Sequence, residues 1–318
     1  MGFSSSLEIA EHVSRCLELA ILLEVSAHPK PGNVHRTADF RETRYEHFLA
    51  SAVAVAQHFK NTAERGIQVS KGKIGPADVG IGKMIKEAVK SVSLWQRGGN
   101  TLLGSIILLS PVAVAAGMVL AKDRFSIAKL RENVKVVIES STPIDAIDVY
   151  DAILIAKPSG LGKAPKLDIT DPTSKQKILD DQVTLFEVFK IASEYDSIAS
   201  EWVNNYPVTF HLGYPYFVQQ LEESKDVNTA TVQTFLKILS EVPDTFIARK
   251  VGLTKAKLVS TEARQVLEKG GLITRSGRNL LWEFDKKLRD PAHELSPGTT
   301  ADITEAVLAI SILKGYRP

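Results

Sequence analysis

The chain is nearly free of cysteine. Cys16 is the single one, so no disulfide can close within the chain, and a reducing, cytoplasmic compartment fits. Cys16 lies inside an apolar helical pattern and reads as core, not as a nucleophile. A surplus of one charge is missing too. Lys and Arg number 39 against 37 Asp and Glu, for a net charge of +2. Non-specific nucleic-acid binding draws on a basic surplus, so nucleic acid is not an expected partner. Any anionic ligand must be held by a local cluster. Sustained strand alternation is absent, and the glycines sit between helical patterns, not after strands. That removes a dinucleotide-binding Rossmann reading. No internal repeat of roughly 20–50 residues is present. The first residues lack a basic stretch, and Glu8, Glu11 and Arg15 interrupt any signal-peptide core.

What is present is helical periodicity. Hydrophobic residues make up 44% of 318, ample for a large core. Apolar positions recur at helical spacing over Ser4 to Ala27, Arg44 to Phe59 and Ile81 to Leu94. Gly66 to Gly82 reads as a polar connection. Thr101 to Ala121 is the longest apolar run and approaches the length of a membrane span. Gly104, Ser105, Ser110, Pro111 and Gly117 interrupt it, which fits a helix buried in a soluble core and no membrane partner. Helices follow over Ser126 to Glu139, from Thr142-Pro143 to Ile155, and from Asp180 to Val203. Others cover Gly213 to Ser224, Asn228 to Leu239, Lys255 to Glu268, Leu272 to Leu288 and Thr300 to Lys314. Between them, Lys157 to Thr173 is rich in Pro, Gly, Lys and Asp and reads as a long functional or mobile loop. The expected fold is all-α, one domain over residues 1–318 with about a dozen helices. Trp95, Trp202 and Trp282 read as packing anchors.

Chemistry-bearing residues gather at helix ends. Glu24-Val-Ser-Ala-His-Pro-Lys-Pro-Gly-Asn-Val-His-Arg-Thr-Ala-Asp39 halts an apolar helix with two prolines and a glycine. Proline fixes φ and glycine opens positive φ, so the turn is stiff and presents Lys30, His35, Arg36 and Asp39. Gly98-Gly-Asn-Thr-Leu-Leu-Gly104 is a glycine turn opening a helix, where free N–H groups and the macrodipole can cradle an anion. Asn100 also reads as a plain helix cap. Glu194-Tyr-Asp-Ser-Ile-Ala-Ser-Glu201 places Asp196 and Glu201 five apart, only partly on one helix face. In Val242-Pro-Asp-Thr-Phe-Ile-Ala-Arg249, Asp244 can cap a helix and Arg249 can pair with it. His293-Glu-Leu-Ser-Pro-Gly-Thr-Thr-Ala-Asp302 sets hydroxyls and Asp302 around the start of the last helix.

In combination these pieces resemble the triphosphoribosyl-dephospho-CoA synthase family, in a divergent, archaeal-type form. Its first motif stands here as Glu24, Val25, Pro29, Lys30, Pro31, Gly32, Val34 and His35; its second as Gly98, Asn100, Thr101 and Gly104. Its third stands as Asp244, Thr245 and Arg249, and its fourth as Ser296, Pro297, Gly298, Ala301 and Asp302. The order is the family's, across nearly the whole chain. Two departures stand out: Arg36-Thr-Ala-Asp39-Phe40 replaces a longer element after the first loop, and Leu102-Leu103 replaces a His-Lys pair.

The resemblance implies an all-helical, ATP-using transferase. The 2′-hydroxyl of dephospho-CoA attacks C1′ of ATP, adenine leaves, and a new glycosidic bond forms. Carboxylates suit an oxocarbenium-like state, and a triphosphate calls for Mg²⁺ and cationic groups. On that basis the expected catalytic carboxylates are Asp39, Asp196, Glu201 and Asp302. Expected ATP contacts are Lys30, His35, Arg36, Asn100, Thr101, Arg249, Ser296 and Gly298. Expected Mg²⁺ ligands are Asp196, Asp244 and Asp302. Two other readings are a Mg²⁺-dependent nucleotide or N-glycosidic hydrolase and a non-catalytic nucleotide-binding protein on the same scaffold. The small-residue apolar helices suit a homodimer seam.

Overall fold

The computed structural model describes residues 3–122, 124–290 and 292–318. It is all-α, with fifteen α-helices and no strand among the described residues. The first six are α1 (Ser6–Ser26), α2 (Tyr45–Ser70), α3 (Ile81–Trp95), α4 (Leu103–Leu120), α5 (Ile127–Glu139) and α6 (Pro143–Ala156). Three short ones follow: α7 (Ser174–Asp180), α8 (Leu185–Ala192) and α9 (Ser197–Val203). The chain closes with α10 (Tyr214–Ser224), α11 (Val227–Glu241), α12 (Thr245–Val251), α13 (Leu253–Glu268), α14 (Arg275–Leu288) and α15 (Gly298–Lys314).

Two helices are apolar on every side and therefore sit in the middle. One is α15, buried continuously from Ile303 to Leu313. The other is α4, long and apolar enough to cross a membrane, but 78% of that stretch is buried within the fold. Helices α1, α2, α3, α5 and α15 pack around it. Contact with α2 is backbone-close. A Cβ on Gly66 would overlap the Val114 carbonyl, and one on Gly117 would overlap that of Ala63. The small-residue faces of α2 and α4 thus serve each other inside the chain, and they no longer argue for a homodimer seam. Gly66 is for the same reason a packing residue within α2, which runs on to Ser70; the polar connection begins later than its glycines imply.

Pro111 lies inside α4. It has no N–H to offer the Ile107 carbonyl, and its ring disturbs the next bond. Two buried side chains bond at this point: Trp202 Nε1 replaces the missing donor at Ile107 O at 3.0 Å, and Tyr206 Oη donates to the next carbonyl, Leu108 O, at 2.8 Å. Trp202 is therefore an anchor, as expected, whereas Trp95 and Trp282 are 65% and 46% exposed. Cys16 is buried in the core, and burial pushes its thiol up to about 11.

The single helix expected over Asp180 to Val203 is broken twice. Thr184 forms a capping box with Glu187 and starts α8. The Asp196 carboxylate accepts from the N–H groups of Ile198 and Ala199 and starts α9. Each cap restarts a helix, because its side chain satisfies the orphan donors of a first turn. A second apolar cluster, from Val232, Phe235 and Leu239 of α11 to Leu281 and Phe284 of α14, lies beside the main core.

Candidate functional site

One cavity of about 1000 Å³ draws on segments from across the chain. Its construction explains the motif spacing. After α1 ends, Gly32 turns the chain at φ +73°, and a Cβ there would lie 2.7 Å from Leu288 Cβ. Gly32 N–H donates to Asp285 Oδ1 at 2.9 Å. That turn tucks Lys30 back under α1, where its Nζ lies 2.5 Å from Glu24 Oε1 with both side chains 2% exposed. Asn33 ties the first loop to the last. Its Nδ2 donates to Pro297 O at 3.0 Å, and its Oδ1 accepts from Ser296 Oγ at 2.7 Å.

The other motifs interlock in the same way. Asp244 caps α12 through Phe246 and Ile247 N–H, while its second oxygen accepts from Thr300 N–H at 2.7 Å and Thr300 Oγ1 at 2.8 Å. Asp302 Oδ1 accepts from Ser105 Oγ at 2.6 Å. Gly104 leaves room for its other oxygen, since a Cβ on Gly104 would overlap Asp302 Oδ2. All four sequence motifs are therefore bonded to one another around one hollow.

The cavity wall is rich in charge. At its base, Glu24, Asp302 and Glu305 face Lys30. Burial raises all three carboxyls. Asp302 is pushed up to about 7, with the Glu24 and Asp244 charges adding to burial and the Ser105 hydrogen bond opposing it. Glu305 is held well above the usual carboxylate range by burial and then by Glu24 and Asp302. For Glu24, burial outweighs the Lys30 ammonium. Glu305 Oε2 is buried and has no hydrogen-bond partner. Away from that base the charges are mixed, with Glu42, Asp168, Asp196 and Glu294 on the same wall as four cations. Arg249 and Lys250 enter from α12, and Lys163 and Lys166 from the 158–169 loop. Lys250 Nζ sits 4.0 Å from the Phe246 ring centroid and donates to His293 O at 2.8 Å. Part of the wall is apolar, with Phe48, Ile107, Ile153 and Phe189.

Of the residues expected at a site, Lys30, Asn100, Thr101, Asp196, Arg249, Ser296, Gly298 and Asp302 line this cavity. Several are engaged differently from expectation. Lys30 is buried against Glu24, where an exposed cation was expected. Asn100 Oδ1 accepts from Leu103 N–H, at the first residue of α4, at 3.1 Å, in line with its reading as a helix cap. Arg249 pairs with Asp196, not with Asp244.

Five expected residues stand outside the wall. Asp39 Oδ1 accepts from Tyr45 N–H at 2.8 Å and starts α2. Arg36 Nε donates to His28 Nδ1 at 2.8 Å on the outside of the loop. His35 is fully buried, with Nε2 3.7 Å from Asp285 Oδ2. Glu201 turns the other way, accepting from Val208 N–H, Thr209 N–H and Thr209 Oγ1. Asp244 is enclosed by its four donors. Among the described residues, no three His, Cys, Asp or Glu side chains gather in one metal-binding group, so Asp196, Asp244 and Asp302 are not one cluster.

Glu305 was missed, and Glu24 was named only within a motif. Their signal is an acid inside an apolar helical stretch, Leu22-Leu23-Glu24-Val25 and Ile303-Thr304-Glu305-Ala306-Val307. Acids are rarely buried there without a purpose.

Residues 10–318 match the model of the CitG family, described as ATP:dephospho-CoA triphosphoribosyl transferase. The chain belongs to this family. Two Pseudomonas fluorescens proteins, each named as a probable 2-(5''-triphosphoribosyl)-3'-dephosphocoenzyme-A synthase, are similar along nearly their whole lengths. The strain Pf0-1 protein is 24% identical over 310 residues, which cover 96% of this chain and 92% of that one. The strain Pf-5 protein is 25% identical over 305 residues, 95% and 91% of the two chains. A Klebsiella pneumoniae protein named as the synthase is 36% identical over 89 residues, 28% of this chain and 29% of that relative. A crystal structure from Archaeoglobus fulgidus, of a protein provisionally named triphosphoribosyl-dephospho-CoA synthase, superposes with a TM-score of 0.61 at 22% identity. It covers 85% of this chain and all of the other, and supports a shared CitG fold.

Proposed function

We propose that this CitG-family chain transfers the triphosphoribosyl unit of ATP to dephospho-CoA and releases adenine. The observation that carries the reading is one cavity built from all four motifs, whose wall brings together the carboxyls of Glu24, Asp302 and Glu305 and the cations Arg249, Lys250, Lys163 and Lys166. Breaking the bond between C1′ and adenine develops positive charge on the ribose. Carboxylates fixed beside it stabilise that charge without having to reorganise. The triphosphate carries the opposite charge and suits Arg249, Lys250, Lys163 and Lys166. The apolar part of the wall suits the adenine ring.

The donor set does not fit a resident metal ion, because Asp196 and Asp244 are already engaged by Arg249, helix N–H groups and Thr300. Mg²⁺ therefore enters as part of the Mg-ATP substrate, whose phosphates supply most of its ligands. No step of the chemistry is assigned to it.

The test is incubation of the protein with Mg-ATP and dephospho-CoA. Free adenine and a product heavier by one triphosphoribosyl unit are expected, in equal amounts. Intact ATP after prolonged incubation would reject ribosyl transfer. Adenine released equally well without dephospho-CoA would replace the transferase reading with a hydrolase.

A further inference from the structure

The reaction needs a proton removed from the attacking hydroxyl and a proton supplied to departing adenine. Neither the family description nor the motif positions say which side chains do this. Two carboxyls reach the cavity from one face of α15. Asp302 and Glu305 are three residues apart, so their Cβ atoms lie within about 5–6 Å of each other. Their surroundings differ. Asp302 lines the cavity and is hydrogen-bonded through one oxygen to Ser105 Oγ, which fixes its orientation, while its other oxygen fills the place of the Cβ that Gly104 lacks. Glu305 has an oxygen buried with no donor or acceptor of its own. Such an atom in a cavity wall lacks its partner until a ligand supplies one.

We infer that Glu305 is the general acid that protonates adenine as it leaves, and that Asp302 is the base that takes the proton of the attacking hydroxyl. This assignment rests on the transferase reading above. The step balances. The acceptor oxygen forms a bond to C1′ and gives its proton to Asp302. The bond from C1′ to N9 breaks, its electron pair goes to the base, and Glu305 gives a proton to a ring nitrogen, so adenine leaves neutral. Passing the proton from Asp302 to Glu305 restores both groups.

The electrostatics agree with the geometry. Environments that push two carboxyls apart separate acid from base. The groups facing Glu305 are Glu24 and Lys30 from α1 and the first loop, Ser105 from α4 and Asp302 from its own helix. The groups facing Asp302 are Ser105, Glu24 and Asp244. Burial and these neighbours thus favour the protonated form of Glu305, while Asp302, at about 7, can exchange a proton.

The deciding experiment compares ATP with 7-methyl-ATP, whose cationic base departs without needing a proton. E305Q should lower turnover of ATP by about 10²–10⁴-fold, the usual range for one acid or base. It should restore 7-methyl-ATP turnover to within about 10-fold of wild type. D302N should be slow with both donors. If E305Q is within about 3-fold of wild type on ATP, or equally slow on both donors while its melting temperature is unchanged, the assignment is overturned. If E305Q does not fold, wild type alone decides the matter. ATP turnover should fall on the alkaline side while 7-methyl-ATP turnover does not, and parallel profiles would overturn the assignment. A wild-type protein that releases no adenine from either donor defeats the transferase reading itself, an outcome separate from these.

Discussion

Lys30→Met isolates what the buried pair contributes. Methionine keeps the unbranched stem and removes only the ammonium, which lies 2.5 Å from Glu24 Oε1. Glu24 then faces Asp302 and Glu305 with no cation beside it, in a place that already raises its pKa by burial. It cannot stay ionised there, so it takes up a proton. The ceiling on the loss of stability is the free energy of protonating an ordinary Glu at the working pH. With an unfolded pKa of about 4.3 and ~1.36 kcal/mol per unit, that ceiling is about 3.7 kcal/mol at pH 7 and about 1.6 kcal/mol at pH 5.5. The sign follows from linkage. In the variant the folded pKa of Glu24 lies above the unfolded one, so stability is retained in acid and lost as pH rises. For 318 residues, at ~2.1 cal/mol/K per residue, 3.7 kcal/mol corresponds to a fall of about 5 °C in Tm. Denaturant melts of wild type, K30M and K30M/E24Q at pH 5.5 and 7.5 measure it. The single variant should lose more at the higher pH, and the double variant should recover most of the loss. A loss below about 0.5 kcal/mol at both pH values would mean that the pair is solvated and that the acidic base of the cavity is misread.

Gly104→Ala places a methyl group against Asp302 Oδ2 and should cut kcat at least about 10-fold with little change in melting, because it displaces one carboxylate rather than the core. Asp244→Asn leaves the shape but weakens four hydrogen bonds to buried donors; a loss of about 1–3 kcal/mol in stability is expected, with ATP affinity by calorimetry unchanged if the residue is structural. Trp202→Phe removes the donor to the carbonyl that Pro111 leaves bare and should cost about 1–3 kcal/mol in a denaturant melt. Restoring an ordinary helical donor with Pro111→Ala in the same chain should recover part of that loss.

The helical character and the motif loops were legible because their signals are local. Gly32 had to turn at positive φ and α4 is apolar all round, whereas the capping box of Thr184 and Glu187, which breaks the helix expected over Asp180 to Val203, was not read. Side-chain direction was not legible. Asp39, His35, Arg36 and Lys30 crowd one loop, yet only Lys30 reaches the cavity, because Gly32 folds that part of the loop under α1. Asp244 looked like a metal ligand since a lone acid at a helix start carries no mark of its partners. Those partners come from Thr300, 56 residues on. Glu24 and Glu305 were hidden for the opposite reason: they occupy positions that periodicity assigns to the core. An acid at such a position conflicts with the helix around it, and that conflict was the readable sign of function.

The placement of charge in the cavity also constrains how a substrate can lie in it. A triphosphate placed at the base would bring polyanionic charge against Glu24, Asp302 and Glu305, with Lys30 as the sole cation among those four groups. Placed against α12 and the 158–169 loop, it meets Arg249, Lys250, Lys163 and Lys166. The donor therefore enters with its nucleoside end first and its phosphates trailing. That orientation sets the reacting carbon among carboxyls while the phosphates hold the nucleotide from behind, so binding strength at one end is used to fix geometry at the other. It also accounts for the motif order. The acids come from α1 and α15, at the centre of the fold where positions are most rigid. The cations come from α12 and the 158–169 loop at the edge. Carboxyls beside the ribose and cations beside the phosphates are what a ribosyl transfer with a charged donor calls for.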